Sequence, residues 1–474
     1  MSPPDDLPPP ARRSWWLEEA LAHPAFAGPE APPLGGHTDA DVVVMGGGYT
    51  GMWTAWFLTE REPGIDVVLL EQDICGGGPS GRNGGFVNGL YDDADLLLER
   101  FGEEGRRAVG LAAGSIDAIG VWCRTHGVDA WHAPTGNLGI STSRAQDAAL
   151  ADALASAVRN GYGDVYRPLD SGEVRERFSS PIARTGVFVT HAAMVQPARL
   201  ARGLRRALLE RGVRIHEGTP VLRFRGGSRV EVETPGGTVQ AGAGVLALGA
   251  SAAGLRRFRR AILPRGSYIL LTEPAPERLE AIGWTGGEGV YDFRTALHYL
   301  RTTPDGRIAF GSASSRTGLG TGLGARLSYD PVSIRRLIGG FRRWFPSFEG
   351  VGFERAWGGP IDVTGLHLPF FDTLEPGGIH YGLGFTGGGV GPCHLAGRIL
   401  SGLALGIEDE ATTLPLVGLP PRRFPPEPIR STGATLVHEA IVRTDEARDG
   451  GRRPNPALWA LARLPRRLGY RIGP

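Results

Sequence analysis

Residues 41–51 read Asp-Val-Val-Val-Met-Gly-Gly-Gly-Tyr-Thr-Gly, and the fold is decided by how they are read. The apolar run from Asp41 to Met45 has the length of a buried parallel strand. Gly46, Gly48 and Gly51 follow at G-x-G-x-x-G spacing, and Met52 to Thr59 has the composition of a helix start. Gly64 and Asp66 end the crossover, and the apolar strand Val67 to Leu70 leads to Glu71, 20 residues beyond Gly51. With 73 glycines in 474 residues, the glycine spacing alone is weak; strand, helix, strand and acid in register make it a βαβ nucleotide site. Gly46 makes the tight turn, Gly48 admits a pyrophosphate to the backbone, and Gly51 lets helix pack on strand. The first amides of the helix, around Tyr49 and Thr50, face the phosphates, and Glu71 accepts from a ribose hydroxyl. Whether the dinucleotide is FAD or NAD(P) is left open by this unit.

The length suggests about two to four domains. Fifty-one basic and 50 acidic residues leave a net charge of +1, which implies no nucleic-acid partner. Every basic residue is an arginine, so lysine chemistry, including Schiff bases, is excluded. Cys75, Cys123 and Cys393 are too scattered for a disulfide framework or a metal site, and no metal is expected. Their scarcity favours a reducing compartment. Met1 to Pro10 is acidic and proline-rich, without the apolar core of a secretory signal. No run of about 18 apolar residues could span a bilayer. A cytoplasmic protein is expected.

Before the βαβ unit, residues 1–37 form a proline-rich arm in which Ser14 could cap a short helix carrying Trp15 and Trp16. Past it, Cys75 to Phe86 carries six glycines, too many for helix or strand. Lying so close to Glu71, this loop is a candidate ligand contact through Gly78, Ser80, Arg82, Asn83, Gly84 and Gly85. Helices are predicted over 95–127, 144–160, 197–211 and 332–344, and strands over 128–141, 186–190, 213–215, 267–272, 295–301 and 307–311. Residues 219–249 read as β-rich, with a hairpin turn at Pro235-Gly236-Gly237 and a small-residue turn at Gly249. Alternation over 297–301 puts His298 and Leu300 on one face and Tyr299 and Arg301 on the other. Ile379 to His394 reads as strand, glycine loop and helix start, a second place for an anion or ring. The tail from Thr412 is rich in proline and arginine, and Pro465 is expected to break its last helix.

Four separated signatures align: the Gly46/Gly48/Gly51/Glu71 unit, the Ser80-Gly-Arg-Asn-Gly-Gly85 loop, the Leu246-Ala-Leu-Gly249 strand end and the Gly384-Phe-Thr-Gly-Gly-Gly389 helix start. Together they resemble the FAD-dependent amine and amino-acid oxidoreductases of the D-amino acid oxidase, glycine oxidase and sarcosine oxidase superfamily. The similarity is strongest to the γ-glutamylputrescine oxidase-like branch, which has a similar Ser-Gly-Arg-Asn-Gly-Gly loop, a Trp-Gly-Gly-x-Ile-Asp stretch and a similar last glycine motif. It spans about residues 40–406.

The resemblance implies FAD, and a mixed α/β fold. A discontinuous Rossmann-like FAD-binding domain (38–120, 191–262 and 345–410) carries a substrate domain with a mostly antiparallel sheet (121–190 and 263–344), and 411–474 is a C-terminal extension. Val221 then meets the adenine, while Gly384, Thr386, Gly387, Gly388, Gly389 and Val390 approach the flavin. The implied reaction is oxidation of a C–N bond in a small amine or N-substituted amino compound. Hydride passes to flavin N5, the imine hydrolyses, and O2 or another acceptor takes the electrons. Arg294, His298, Tyr299, Arg307 and Trp357 are the candidate catalytic residues.

Three departures from the family pattern qualify this. Where relatives carry a carboxylate-binding arginine, this chain reads Trp357-Gly358-Gly359-Pro360, so a plain D-amino acid fits less well unless Arg294, Arg301 or Arg82 substitutes. The lysine that assists oxygen in monomeric sarcosine oxidases is absent, with Arg307 in that neighbourhood. Gly387-Gly388-Gly389 replaces the usual Gly-His-Gly. No cysteine occupies 355–365 and no histidine 76–89, so the FAD is expected to be non-covalent. The alternatives are an amino-acid oxidoreductase with a displaced arginine clamp, and a flavin-binding electron-transfer subunit without its own substrate. Trp459, Leu461 and Leu464 among arginines could also lie on an anionic membrane, although docking of the tail on the protein itself is the commoner arrangement.

Overall fold

The computed structural model describes residues 7–313, 317–318 and 322–472. The first six residues of the proline-rich arm therefore lie outside the described residues.

Val42 to Met45 and Val67 to Leu70 are buried along their whole length, as strands covered on both faces must be. They form the centre of a sheet ordered Phe370–Leu374, Ile379–Leu383, Gly237–Leu246, Gly36–Met45, Val67–Leu70, Arg214–His216. Its inner pairs are parallel, and the Phe370–Leu374 edge is antiparallel. Val230–Glu233 folds back antiparallel on Gly237–Leu246 through the predicted turn. The crossover helix Tyr49–Arg61 packs against the helix Val390–Leu405, 330 residues later in the chain. A Cβ on Gly397 would stand 2.6 Å from the Trp53 Cβ, so only glycine allows that approach.

A second sheet runs Phe353–Val363, Leu263–Thr272, Ile308–Ser312, His298–Thr302, Gly289–Asp292, Asn137–Ile140, Gly186–Val189, Tyr166–Leu169. All its pairs are antiparallel except Gly289–Asp292 with Asn137–Ile140. The helix Pro331–Trp344 covers one face through an aromatic core that includes Phe178, Trp284, Phe310, Phe341 and Trp344. The other face roofs a cavity above the first sheet. The fold is thus mixed α/β, with a Rossmann-like sheet below and a mostly antiparallel sheet above.

Several elements differ from the sequence expectation. The strand Phe353–Val363 lies in the segment 345–410 assigned to the FAD-binding unit, yet it pairs along its length with Leu263–Thr272 in the roof. The predicted helix over 95–127 is two helices, Ala94–Phe101 and Glu103–Thr125, because Gly102 turns the chain with φ +56°. Pro465 does not break the last helix, which spans Pro456–Arg467. It sits in the final turn, where the missing N–H removes one bond and little helix remains to distort.

The C-terminal extension docks on its own body. Ala440, Ile441, Val442 and Ala462 bury against Ala296 of the roof. Tyr470 stacks on Phe424 at 5.4 Å, the Arg471 amide donates to the Gly365 carbonyl, and its guanidinium donates to Asp93 at 2.6 Å. No helix among the described residues is long and apolar enough to cross a membrane.

Candidate active site

One continuous cavity of about 1620 Å³ runs from the glycine turn, under the roof sheet, to the C-terminal helices. At the glycine-turn end the backbone is shaped for close approach. Gly46 has φ +117°, and a Cβ there would lie 2.4 Å from the Ala247 carbonyl oxygen. A Cβ on Gly51 would lie 1.9 Å from the Gly46 oxygen, so Gly51 stands behind the wall and permits the helix to seat. Gly48, which caps that helix, supplies no side chain to its first amides, which leaves most of them for a ligand. Ser80 Oγ accepts from the Tyr49 amide at 2.8 Å and ties the second glycine loop to the helix start. Glu71 is held at the cavity edge by the amides of Gly47 (2.8 Å) and Asp73 (2.9 Å). Burial raises its carboxyl above the ordinary value, and those two amides oppose the rise. Val221 and Gly249 line the same end.

The loop 75–86 keeps its shape through its own polar side chains. Asn83 donates to the carbonyls of Pro79 and Ser80 and accepts from the Gly85 amide at 2.7 Å. Arg82 donates to the carbonyls of Gly77, Gly358 and Arg12. Gly78, Ser80, Arg82, Asn83 and Gly84 reach the cavity. Gly85 does not: its absent side chain makes room for the Val195 carbonyl and the Arg301 guanidinium.

Opposite lies the start of the helix Val390–Leu405, capped by Gly389 with no side-chain bond to its amides. Thr386, Gly387, Gly388, Gly389 and Val390 line the cavity there. Beside them, Asp362 is buried at the cavity wall and accepts from the Gly384 amide at 2.6 Å, which fixes the loop. Burial pushes this carboxyl up to about 6 against the pull of several backbone amides. Gly384 itself faces Thr364 behind the wall.

The structure separates the five candidate catalytic residues. Tyr299 lines the cavity; its hydroxyl shares a 2.9 Å hydrogen bond with Ser267, and Gly84 and Gly311 leave its ring no room for a Cβ on either. Burial pushes its phenol up to about 12. Arg294 also lines the cavity, but its Nε donates to Asp449 at 2.6 Å. The other three do not reach the cavity wall. His298 is on the opposite face of its strand from Tyr299, with Nδ1 on Asp292 at 2.7 Å and its ring against Phe310. Arg307 is drawn away by Asp305 and Glu354. Trp357 is fully buried and donates its indole N–H to the Arg82 carbonyl at 2.9 Å, bracing the glycine loop. Arg301, a proposed carboxylate clamp, is buried against the Val195 carbonyl and over the Trp16 ring.

Residues that the sequence reading did not assign to the site complete the wall. Arg265 and Ser267 come from the roof, and His367 comes from a loop with φ +61°. Burial, with Arg471, Arg265 and Arg466 nearby, pushes His367 down to about 4, so it is neutral at physiological pH. His438, Asp445, Arg448, Trp459, Arg463 and Arg466 come from the C-terminal helices. The only sequence signal for these was the arginine-rich, tryptophan-bearing composition of the tail. No group of three metal-ligating side chains occurs among the described residues.

A parallel sheet with two glycine-capped helix starts at one cavity, an acid at the end of the second strand and a roof over the far end are the frame of an FAD-dependent oxidoreductase. The chain belongs to the DAO family of FAD dependent oxidoreductases, whose profile matches residues 41–403. It is 30% identical over 393 residues to a probable oxidoreductase, OrdL, of Haemophilus influenzae, covering 81% of this chain and 86% of that one. It is 31% identical over 375 residues to gamma-glutamylputrescine oxidoreductase of Escherichia coli, covering 77% and 84%. Among solved structures, glycine oxidase from Geobacillus kaustophilus superposes with a TM-score of 0.65 at 19% identity, over 78% of this chain and 96% of that chain. The protein is therefore an enzyme with FAD as its cofactor, and the extension from 411 lies beyond the matched span.

Proposed function

We propose that this enzyme oxidises a C–N bond in a small amine or N-substituted amino compound. Bound FAD supplies the hydride acceptor, and the imine released is hydrolysed by water. Gly46, Gly48 and the Tyr49–Arg61 helix start hold the pyrophosphate, Glu71 the adenosine ribose, and Val221 the adenine. The Gly387–Val390 turn meets the flavin ring and places a positive helix end beside it.

The observation that carries the amine reading is the wall where family members clamp an α-carboxylate. It consists here of Gly359 and Pro360, which carry no cation themselves, and the arginines around it are already engaged: Arg82 by carbonyls, Arg294 by Asp449, and Arg265, across the strand pair from Ile361, by His438. Gamma-glutamylputrescine oxidoreductase, named for an amine, supports the same reading. An amino-acid substrate clamped by Arg294 would require breaking the Asp449 pair, so that alternative is less well supported.

Tyr299 closes the roof above the ring-facing part of the cavity. With its phenol near 12 it stays protonated and can donate a hydrogen bond, but it does not act as a base at neutral pH. The three cysteines are buried and free, and the Cys393 thiol beside the helix start is pushed up to about 12. A thiol so far from ionisation is a poor nucleophile, which supports non-covalent FAD.

The deciding experiment is anaerobic flavin bleaching by a panel of neutral amines, followed by readmission of air. Bleaching by amines supports the reading, and recovery in air identifies O2 as acceptor. A flavin that stays oxidised with every amine sinks it.

A further inference from the structure

We propose that the C-terminal extension completes the substrate chamber and that Arg463 and Arg466, assisted by Arg448, hold a carboxylate at the end of the substrate remote from the oxidised C–N bond. This rests on the amine-oxidation reading and names the substrate class for that site.

The two C-terminal helices divide their faces cleanly. In Pro456–Arg467, Leu458, Leu461 and Ala462 bury against the helix Ile429–Asp449. Trp459, Arg463 and Arg466 recur at helical spacing on another face, and all three line the cavity. From Ile429–Asp449, His438, Ile441, Asp445 and Arg448 form the matching stripe. Trp459 is flanked by two guanidinium groups, Arg448 at 5.2 Å and Arg463 at 5.3 Å from its ring centre. Stacking of this kind fixes the planes of both guanidinium groups and leaves their N–H edges open for a planar anion.

The charges of the chamber are unevenly satisfied. Most of its acids have partners, Asp152 excepted: Asp449 is bound by Arg294 and Arg343, Asp93 by Arg471, Asp292 by His298, and Asp95 by Ser156 and Asn160. Asp445 accepts the Ala296 amide. Arg448, Arg463 and Arg466 have no carboxylate within ion-pair distance among the described residues, although all three face the cavity. Arg466 also stands near the neutral His367, and the surplus of positive charge at the far end is that of Arg448, Arg463 and Arg466. A substrate carboxylate answers that surplus, and bidentate bonds from two arginines would orient it. The extension lies beyond residues 41–403, which the family profile matches.

The test compares two pairs of matched probes, δ-aminovalerate with n-pentylamine and ε-aminocaproate with n-hexylamine, on the holoenzyme and on an Arg463→Gln/Arg466→Gln variant. The unmodified enzyme should prefer the acid. In the variant the acid-to-amine ratio of kcat/KM for flavin reduction should fall about 10- to 100-fold, with flavin content retained. The Arg463→Lys/Arg466→Lys variant should keep part of the ratio, because it retains the charge without the planar fork. Calorimetric binding of valerate, which carries no amine, reads the site without turnover and should weaken by a similar factor. If amines reduce the flavin but neither the ratio nor valerate binding responds, the clamp is overturned and the amine reading stands. If no amine reduces the flavin while valerate binding depends on the two arginines, the amine reading fails and the anion site stands.

Discussion

Gly51 shows how much a single missing methyl can determine. Its Cβ would sit 1.9 Å from a backbone oxygen that cannot move without the glycine turn moving too. Gly51→Ala should yield protein with little bound flavin and a stability loss of at least about 1–3 kcal/mol, read by the flavin-to-protein ratio and thermal melting. Tyr299→Phe should behave differently. It removes one hydrogen bond to Ser267, about 1 kcal/mol, so kcat/KM should fall by no more than roughly 10-fold. Its pH profile should not shift between neutrality and pH 10, because the phenol lost is protonated throughout. A shifted profile would show that Tyr299 titrates during turnover. The glycine spacing could be read from sequence because it follows from backbone sterics local to the motif. The fates of Arg307 and Trp357 could not, because Glu354 and the Arg82 carbonyl reach them only in the folded state.

At the scale of elements, the short helix Trp15–Ala22 was legible as a capped helix, and Ser14 does accept from the Leu17 amide. Its purpose was not legible. Ser14 Oγ donates to the Gly81 carbonyl at 2.5 Å, and Trp16, fully buried, stands edge-on to Trp357 at 6.0 Å. Glu19 receives Arg199, and the Trp16 carbonyl receives Gln196. The arm thus presses the glycine loop 75–86 into place. Trp16→Ala should cost about 3–5 kcal/mol of stability and also reduce flavin retention, measured by melting and by FAD titration of the apoprotein. Undiminished FAD affinity would limit the arm to a structural role. The strand Phe353–Val363 illustrates the converse problem. Its pattern marked it as extended, but which of two sheets it joins depends on the free edge beside Leu263–Thr272.

For the whole molecule, the question is what keeps the extension over the chamber. Arg471 bridges the far tail to Asp93, and Arg294 and Arg343 grip Asp449. Burial pushes Asp93 up to about 7 even with Arg471 beside it. A carboxyl raised in the folded state favours folding most below its unfolded value near 4 and loses that contribution as pH rises through about 7. Removing the cation in Arg471→Ala raises the carboxyl further. The variant should therefore be destabilised by about 1–3 kcal/mol at pH 8 and by much less at pH 5, as read by melting at the two pH values. Equal losses at both would show that the ion pair is not the operative contact. Arg294→Ala should likewise loosen the extension and weaken all substrates together, rather than acids alone, in a comparison of KM values.

The sequence by itself determined the glycine-turn end of the cavity. Strand hydrophobicity, glycine positions and the acid at the second strand end are local in sequence, and each is forced by backbone geometry or burial. It also carried the second glycine helix start, though 300 residues away, because the same local physics repeats there. The reacting end was decided only by the tertiary structure. Which face of a strand looks into the cavity, which arginine finds a carboxylate and which is left facing the chamber depend on partners such as Arg294 and Asp449, separated by 155 residues. Composition marks such charges; only packing decides whether they are neutralised, and in this protein that decision leaves three arginines of the extension facing the substrate chamber.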